Sequence, residues 1–63
     1  MCEADVYLLS QGSEEVLFLD KVDKIIPQGD ELYLENIFGK RKTVKARIKE
    51  MTLVEHRILL ERL

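Results

Sequence analysis

Apolar residues in this chain recur at every second position rather than every third or fourth, and that period constrains the fold more than any other feature. From the N-terminus, Cys2, Ala4, Val6 and Leu8 share one face of an extended segment while Glu3, Asp5 and Tyr7 share the other. Such alternation marks a half-buried strand. Leu32 and Leu34 alternate in the same way with Glu31, Tyr33 and Glu35, and Val44, Ala46 and Ile48 with Lys45, Arg47 and Lys49. The continuously apolar Val16-Leu17-Phe18-Leu19 reads as a second strand suited to burial on both faces. Asp20 to Ile26 carries a third strand that ends at Pro27, whose missing N–H cannot serve an interior ladder. Gln11-Gly12-Ser13, Gln28-Gly29-Asp30 and Gly39 supply the turns. Parity breaks near Glu50-Met51, where a bulge would bend the strand, and a last hairpin turns at Glu55-His56 and returns through Ile58, Leu59 and Leu60. A short C-terminal helix over Val54 to Leu63 is the competing reading, because Leu, Glu and Arg are good helix formers. The expected class is all-β: a single domain, residues 1–63, built as a five- to six-stranded curled meander or barrel.

A chain of 63 residues falls in a size class that buries only about 60% of the surface its unfolded form exposes. Such domains usually draw extra stability from disulfides, a structural metal or a second subunit. One cysteine cannot form an internal disulfide, and one cysteine with one histidine cannot supply the four ligands of a structural zinc. Self-association is the remaining supplement, so a homodimer is expected. Residues 1–5 carry two acids and no basic side chain, and no apolar run approaches the ~18 residues of a membrane span. The expected setting is the reducing cytoplasm, with no membrane partner.

Cys2 stands directly behind Met1. An α-amine titrates near pH ~8, so Met1 offers a neutral nitrogen more readily than any lysine does. The Met1 amine, the Cys2 amide nitrogen and the Cys2 sulfur would close two adjacent five-membered chelate rings around one ion, a tetragonal N/S set that suits Ni(II) or Cu(II). The competing reading is a small semi-apolar residue opening a strand.

The residues Met1-Cys2-Glu3, the apolar Val6, Leu8 and Leu9, Asp20-Lys21-Val22 and the closing Arg57-Ile58-Leu59-Leu60-Glu61 resemble the CooT family of small nickel-binding accessory proteins. The resemblance spans nearly the whole chain. It implies a cytoplasmic, β-rich homodimer that holds Ni(II) through Cys2 as a metallochaperone or nickel store. Its client would be a nickel-dependent enzyme, carbon monoxide dehydrogenase in maturation. Relatives of this sort have also been labelled predicted RNA-binding proteins, which gives the alternative function. With twofold symmetry near the rim, two sulfurs and two nitrogens would complete a square plane around one metal per dimer; one metal per chain with an external ligand is the other arrangement.

The charges are segregated. Residues 1–39 hold nine of the twelve acids and two of the ten basic residues, while Lys40, Arg41, Lys42, Lys45, Arg47 and Lys49 form a basic stripe. A hairpin centred on Lys40 would set Glu35 opposite Lys45, Glu31 opposite Lys49 and Tyr33 opposite Arg47, an ordinary paired sheet face with one cation–π contact. In the RNA reading, Tyr7 or Tyr33 would stack bases beside Lys40, Arg41 and Lys42. His56 reads first as a solvated turn residue, and as an auxiliary metal ligand if the final turn folds toward the rim. There is no glycine-rich phosphate loop, no Cys/His pair at a motif spacing and no H-E-x-x-H helix, so an enzyme is not expected.

Overall fold

A computed structural model describes residues 3–10 and 14–63. Five strands follow in order: β1 (Ala4–Leu9), β2 (Glu15–Gln28), β3 (Glu31–Asn36), β4 (Arg41–Thr52) and β5 (Arg57–Arg62). Neighbours in sequence are neighbours in space, and the sheet closes on itself in the order β1-β2-β3-β4-β5. Every consecutive pair is antiparallel. In a meander with an odd number of strands the last runs the same way as the first, so closure must be parallel. The β1–β5 ladder is parallel, pairing Asp5 with Arg57, Val6 with Ile58 and Leu8 with Leu60.

The period-two pattern is realised at the core. Val6, Leu8, Leu32, Leu34, Val44, Ala46, Ile58 and Leu60 are buried together with Leu19 and Val22. Leu34, Leu60 and Val6 are the largest fully enclosed side chains. Burying a leucine side chain stabilises by about 1.5–3 kcal/mol, so these inward rows are what hold so small a barrel. The helix considered for Val54 to Leu63 does not form; β5 occupies that segment, because three consecutive buried residues, Ile58 to Leu60, fit a strand packed on the barrel wall. Parity breaks in β4 between Ile48 and Glu50, as expected, and leaves Ile48 exposed rather than inward.

Three expectations are corrected. The second and third strands are one, the 14-residue β2, bent through Lys21 at φ 51 with register shifts on either side. The kink lets one strand serve two neighbours: its first half pairs β1 and its second half pairs β3. Pro27 consequently lies within this strand, opposite Leu32. Second, Val16 and Leu17 are about half exposed while Leu19 is buried, so the apolar run is not covered on both faces.

Third, the β3–β4 register is four residues tighter than a turn centred on Lys40 would make it. Glu35 faces Arg41, Tyr33 faces Thr43 and Glu31 faces Lys45. The cause is Asn36, which is 4% exposed. Its Oδ1 accepts the Phe38 N–H at 3.0 Å and the Lys40 N–H at 2.8 Å, and its carbonyl accepts the Gly39 N–H at 3.0 Å. One side-chain amide thus closes the loop before Lys40, in the manner of an Asx turn. Arg47 therefore meets Glu61 rather than the Tyr33 ring.

Candidate metal site at the barrel rim

Parallel closure brings the start of β1 and the start of β5 to the same rim. The β4–β5 turn, Leu53 to His56, therefore lies against the segment that precedes β1. Its N–H groups at Glu55 and His56 donate to the carbonyls of Thr52 and Leu53. It ends at His56 in the left-handed region, φ 57, where histidine is tolerated better than most side chains. From there two bonds reach the N-terminal segment. The His56 carbonyl accepts the Asp5 N–H at 2.9 Å, and His56 Nδ1 lies 2.9 Å from the Glu3 carbonyl oxygen. A carbonyl only accepts, so Nδ1 carries the proton and donates. Asp5 in turn accepts the N–H of the kink residue Lys21 on Oδ1 at 3.1 Å, tying the start of β1 to the bend of β2.

Met1 and Cys2, the residues expected to hold a metal, lie outside the described residues. The next residue, Glu3, lines a cleft of about 240 Å³ with Ala4, Leu53 and His56. The Glu3 Oε2 atom is buried and finds no hydrogen-bond partner among the described residues. An unpaired buried acceptor costs about 1–3 kcal/mol, and more if charged. A cation or a hydrogen-bond donor is the kind of partner this oxygen lacks. Among the described residues no group of three or more His, Cys, Asp or Glu side chains is gathered for a metal, so Glu3 and His56 supply at most part of a ligand set. A larger cleft, about 320 Å³, opens where β1 and β5 end, between Leu9, Ser10, Glu61, Arg62 and Leu63. It lies at the far end of both strands from Glu3, and the Glu61 carboxylate there is engaged by Arg47.

The basic stripe is partly engaged by the chain itself. Lys42 Nζ donates to the Phe18 carbonyl at 2.8 Å and sits 4.7 Å above the centre of that ring. Arg47 contacts the Glu61 carboxylate at 2.9 Å, and Arg41 approaches Glu35 at 4.0 Å. Tyr33 donates its hydroxyl to Glu35 Oε1 at 2.9 Å, and that bond to an anion raises its pKa above the ordinary value. Tyr7 carries the Arg57 guanidinium 4.3 Å from its ring centre. Arg57 also binds Glu15 at 2.7 Å, and the Glu15 hydrogen bond raises the guanidinium pKa further. Both tyrosines considered for base stacking thus have partners on this chain. The Tyr7–Arg57–Glu15 stack went unread in the sequence because its members are 50 and 42 residues apart.

The model of one protein family, CO dehydrogenase accessory protein CooT, matches residues 1–61. The chain belongs to the CooT family. Its fold is that of the crystal structure of a protein assigned as a CooT from Carboxydothermus hydrogenoformans, at 56% sequence identity and a TM-score of 0.91, covering 98% of each chain. No curated protein gives a significant match. The match to the CooT family reaches across the N-terminal residues, so Met1 and Cys2 lie within it. No helix of the described residues is long and apolar enough to cross a membrane.

Proposed function

We propose that this chain is a nickel-binding accessory protein, a metallochaperone or nickel store, whose client is carbon monoxide dehydrogenase. The observation that carries the reading is the CooT family match running through Met1 and Cys2. The Glu3 oxygen, buried and without a partner among the described residues, supports it. The donors are the Cys2 thiolate with the Met1 amine, and two chains meeting at this rim would supply two of each. A homodimer is then both the stabilising assembly for a 63-residue barrel and the unit that binds the metal. Nickel is cargo here. An exposed rim lets an incoming partner replace the ligands one at a time, whereas an enclosed cage would have to open first. The cytoplasm suits a role that depends on a free thiolate.

The decisive experiment is Ni(II) titration of the parent and of Cys2→Ser, followed by calorimetry and by the thiolate-to-nickel absorption band. Loss of an outer-shell partner alone typically weakens a metal site by about 10- to 100-fold. Removing the thiolate donor should cost more than about a hundredfold and abolish the band while the barrel stays folded. Equal affinity in the two proteins would place the metal elsewhere. Thiol and amine must both lose a proton on binding, each with an ordinary pKa near ~8, so affinity should climb steeply between pH ~6 and ~8. A carboxylate site would respond little over that window. Copper outcompeting nickel follows from the Irving–Williams order and does not bear on the role.

A further inference from the structure

The β3–β4 turn is held on all sides, yet it leaves its largest side chain in water. Each N–H from Asn36 to Lys40 finds an acceptor within the chain. The Asn36 and Ile37 N–H groups donate to the carbonyls of Lys40 and Lys21 at 2.9 and 3.0 Å, and the Gly39 N–H donates to the Asn36 carbonyl at 3.0 Å. The other two, at Phe38 and Lys40, donate to Asn36 Oδ1. The bond at residue 38 uses its main chain alone, so the turn needs no particular side chain there. Phe38 nevertheless stands 72% exposed, beside Ile37 at 43%. An apolar pair held out on a fixed backbone adds nothing to the core of the isolated barrel, and contiguous exposed apolar surface is the usual mark of an interaction site.

The charges around the pair indicate what covers it. From Ile37 to Lys42 the chain carries three cations and no acid. Lys42 is engaged by the Phe18 carbonyl and ring, whereas Lys40 and Arg41 are exposed. Lys40 has no ionic partner among the described residues. Arg41 stands 4.0 Å from a Glu35 oxygen that also accepts the Tyr33 hydroxyl and faces Lys24 at 3.9 Å. On the neighbouring β2, Asp20, Lys21, Asp23 and Lys24 balance in sign and add no net charge. The turn thus presents an apolar knob with a cationic edge. A polyanion such as RNA needs a longer track of free cations, and along β4 Lys45 faces Glu31 while Arg47 is taken by Glu61. The family is one of enzyme accessory proteins, and such a protein meets its enzyme through a surface.

We propose that the β3–β4 turn is the docking point for the client enzyme: Phe38 and Ile37 enter an apolar pocket on that protein, and Lys40 and Arg41 meet carboxylates at the pocket's edge. This rests on the client reading above and is independent of which atoms hold nickel. Aromatic side chains are the common anchors of protein interfaces, and charges at the rim steer the encounter. A turn whose N–H groups are already satisfied loses little further freedom on binding, so more of the contact energy is retained as affinity.

The test uses the full-length protein and purified, nickel-free carbon monoxide dehydrogenase, with affinity measured by calorimetry and association rates at several salt concentrations. Phe38→Ala keeps every main-chain bond of the turn. Leu17→Ala, at a β2 position 51% exposed, controls for the loss of any exposed apolar side chain. Phe38→Ala should weaken enzyme binding about 30-fold, the loss that marks an interface anchor, while Leu17→Ala stays within about twofold of the parent. Lys40→Glu combined with Arg41→Glu should slow association and flatten its salt dependence. Nickel uptake should be parental in all three. No loss in Phe38→Ala, or an equal loss in Leu17→Ala, overturns the docking point. Conversion of a dimer to a monomer by Phe38→Ala also overturns it, because the turn would then serve a second copy. An RNA oligonucleotide whose binding is abolished by the charge reversal, with enzyme affinity unmoved, would assign the turn to nucleic acid instead. A parent that takes up nickel but does not bind the enzyme removes the docking point and leaves the metal reading standing; one that binds the enzyme through Phe38 but takes up no nickel does the reverse.

Discussion

Single polar side chains decide several features that apolar patterning leaves open. Asn36 is buried at 4% exposure and satisfies two loop N–H groups, those of Phe38 and Lys40. Asn36→Ala would leave both donors without that acceptor, so a loss of about 1–3 kcal/mol is expected from chemical denaturation. Asn36→Asp keeps the acceptor and should recover most of it. Tyr33 offers a prediction in pH. Its hydroxyl donates to the Glu35 carboxylate, which raises its pKa from the ordinary 10.0. A raised folded-state pKa means the folded protein holds this proton more tightly than the unfolded chain does. The contribution is therefore fully present below pH ~10 and lost as the pH rises through the folded value. Followed by phenolate absorption, Tyr33 should ionise later than a free tyrosine. In Glu35→Gln its titration should fall back toward the ordinary value; an unchanged titration would mean that the hydrogen bond is not its cause.

At the level of strands and turns, irregularities do the shaping. The 14-residue β2 serves both β1 and β3 only because it bends at Lys21, and the β4 bulge between Ile48 and Glu50 curls the opposite wall. Bulges of this kind are how a short sheet closes without strain spread along its ladders. The β2–β3 hairpin turns through Gly29 at φ +66, with no atom within 4 Å of where a Cβ would stand. Gly29→Ala therefore meets no clash, and its cost is conformational alone. A destabilisation of about 1–2 kcal/mol is expected, the usual penalty for a left-handed L-residue. A much larger loss would show that the turn has a packing role not visible in its surroundings.

For the whole molecule, stability rests on one small core. Leu34 is fully enclosed within it, so Leu34→Ala should cost about 3–5 kcal/mol, a large share of the 5–15 kcal/mol typical of folded domains. In an isolated barrel of this size that loss approaches unfolding. Assembly would cushion it, so the proposed homodimer predicts a midpoint that rises with protein concentration. Nickel at a hundredfold excess over its dissociation constant should add about 2.7 kcal/mol if it binds only the folded form. Light scattering that shows a monomer with and without nickel would remove the shared site and leave at most one Met1-Cys2 chelate per chain.

Much of this architecture is written in the order of residues. Strand identity follows from a two-residue period, because side chains on a strand alternate between core and solvent whatever the partner strand is. The Val6/Leu8, Leu32/Leu34 and Val44/Ala46 pairs could therefore be placed inward without knowing any neighbour, and a cysteine next to an α-amine suggests a chelate for equally local reasons. Register and proximity are different in kind. Where β3 meets β4 depended on one buried amide, Asn36, whose hydrogen bonds exist only once the loop has formed. That Glu15 and Leu17 of β2 belong to the same strand as Ile25 depended on a kink that local patterning reads as a break. The meeting of His56 with Glu3 needed parallel closure of an odd-stranded ring, which brings the start of the first strand and the turn before the last strand to one rim. No local pattern encodes a contact across 53 residues; it follows from strand number and closure.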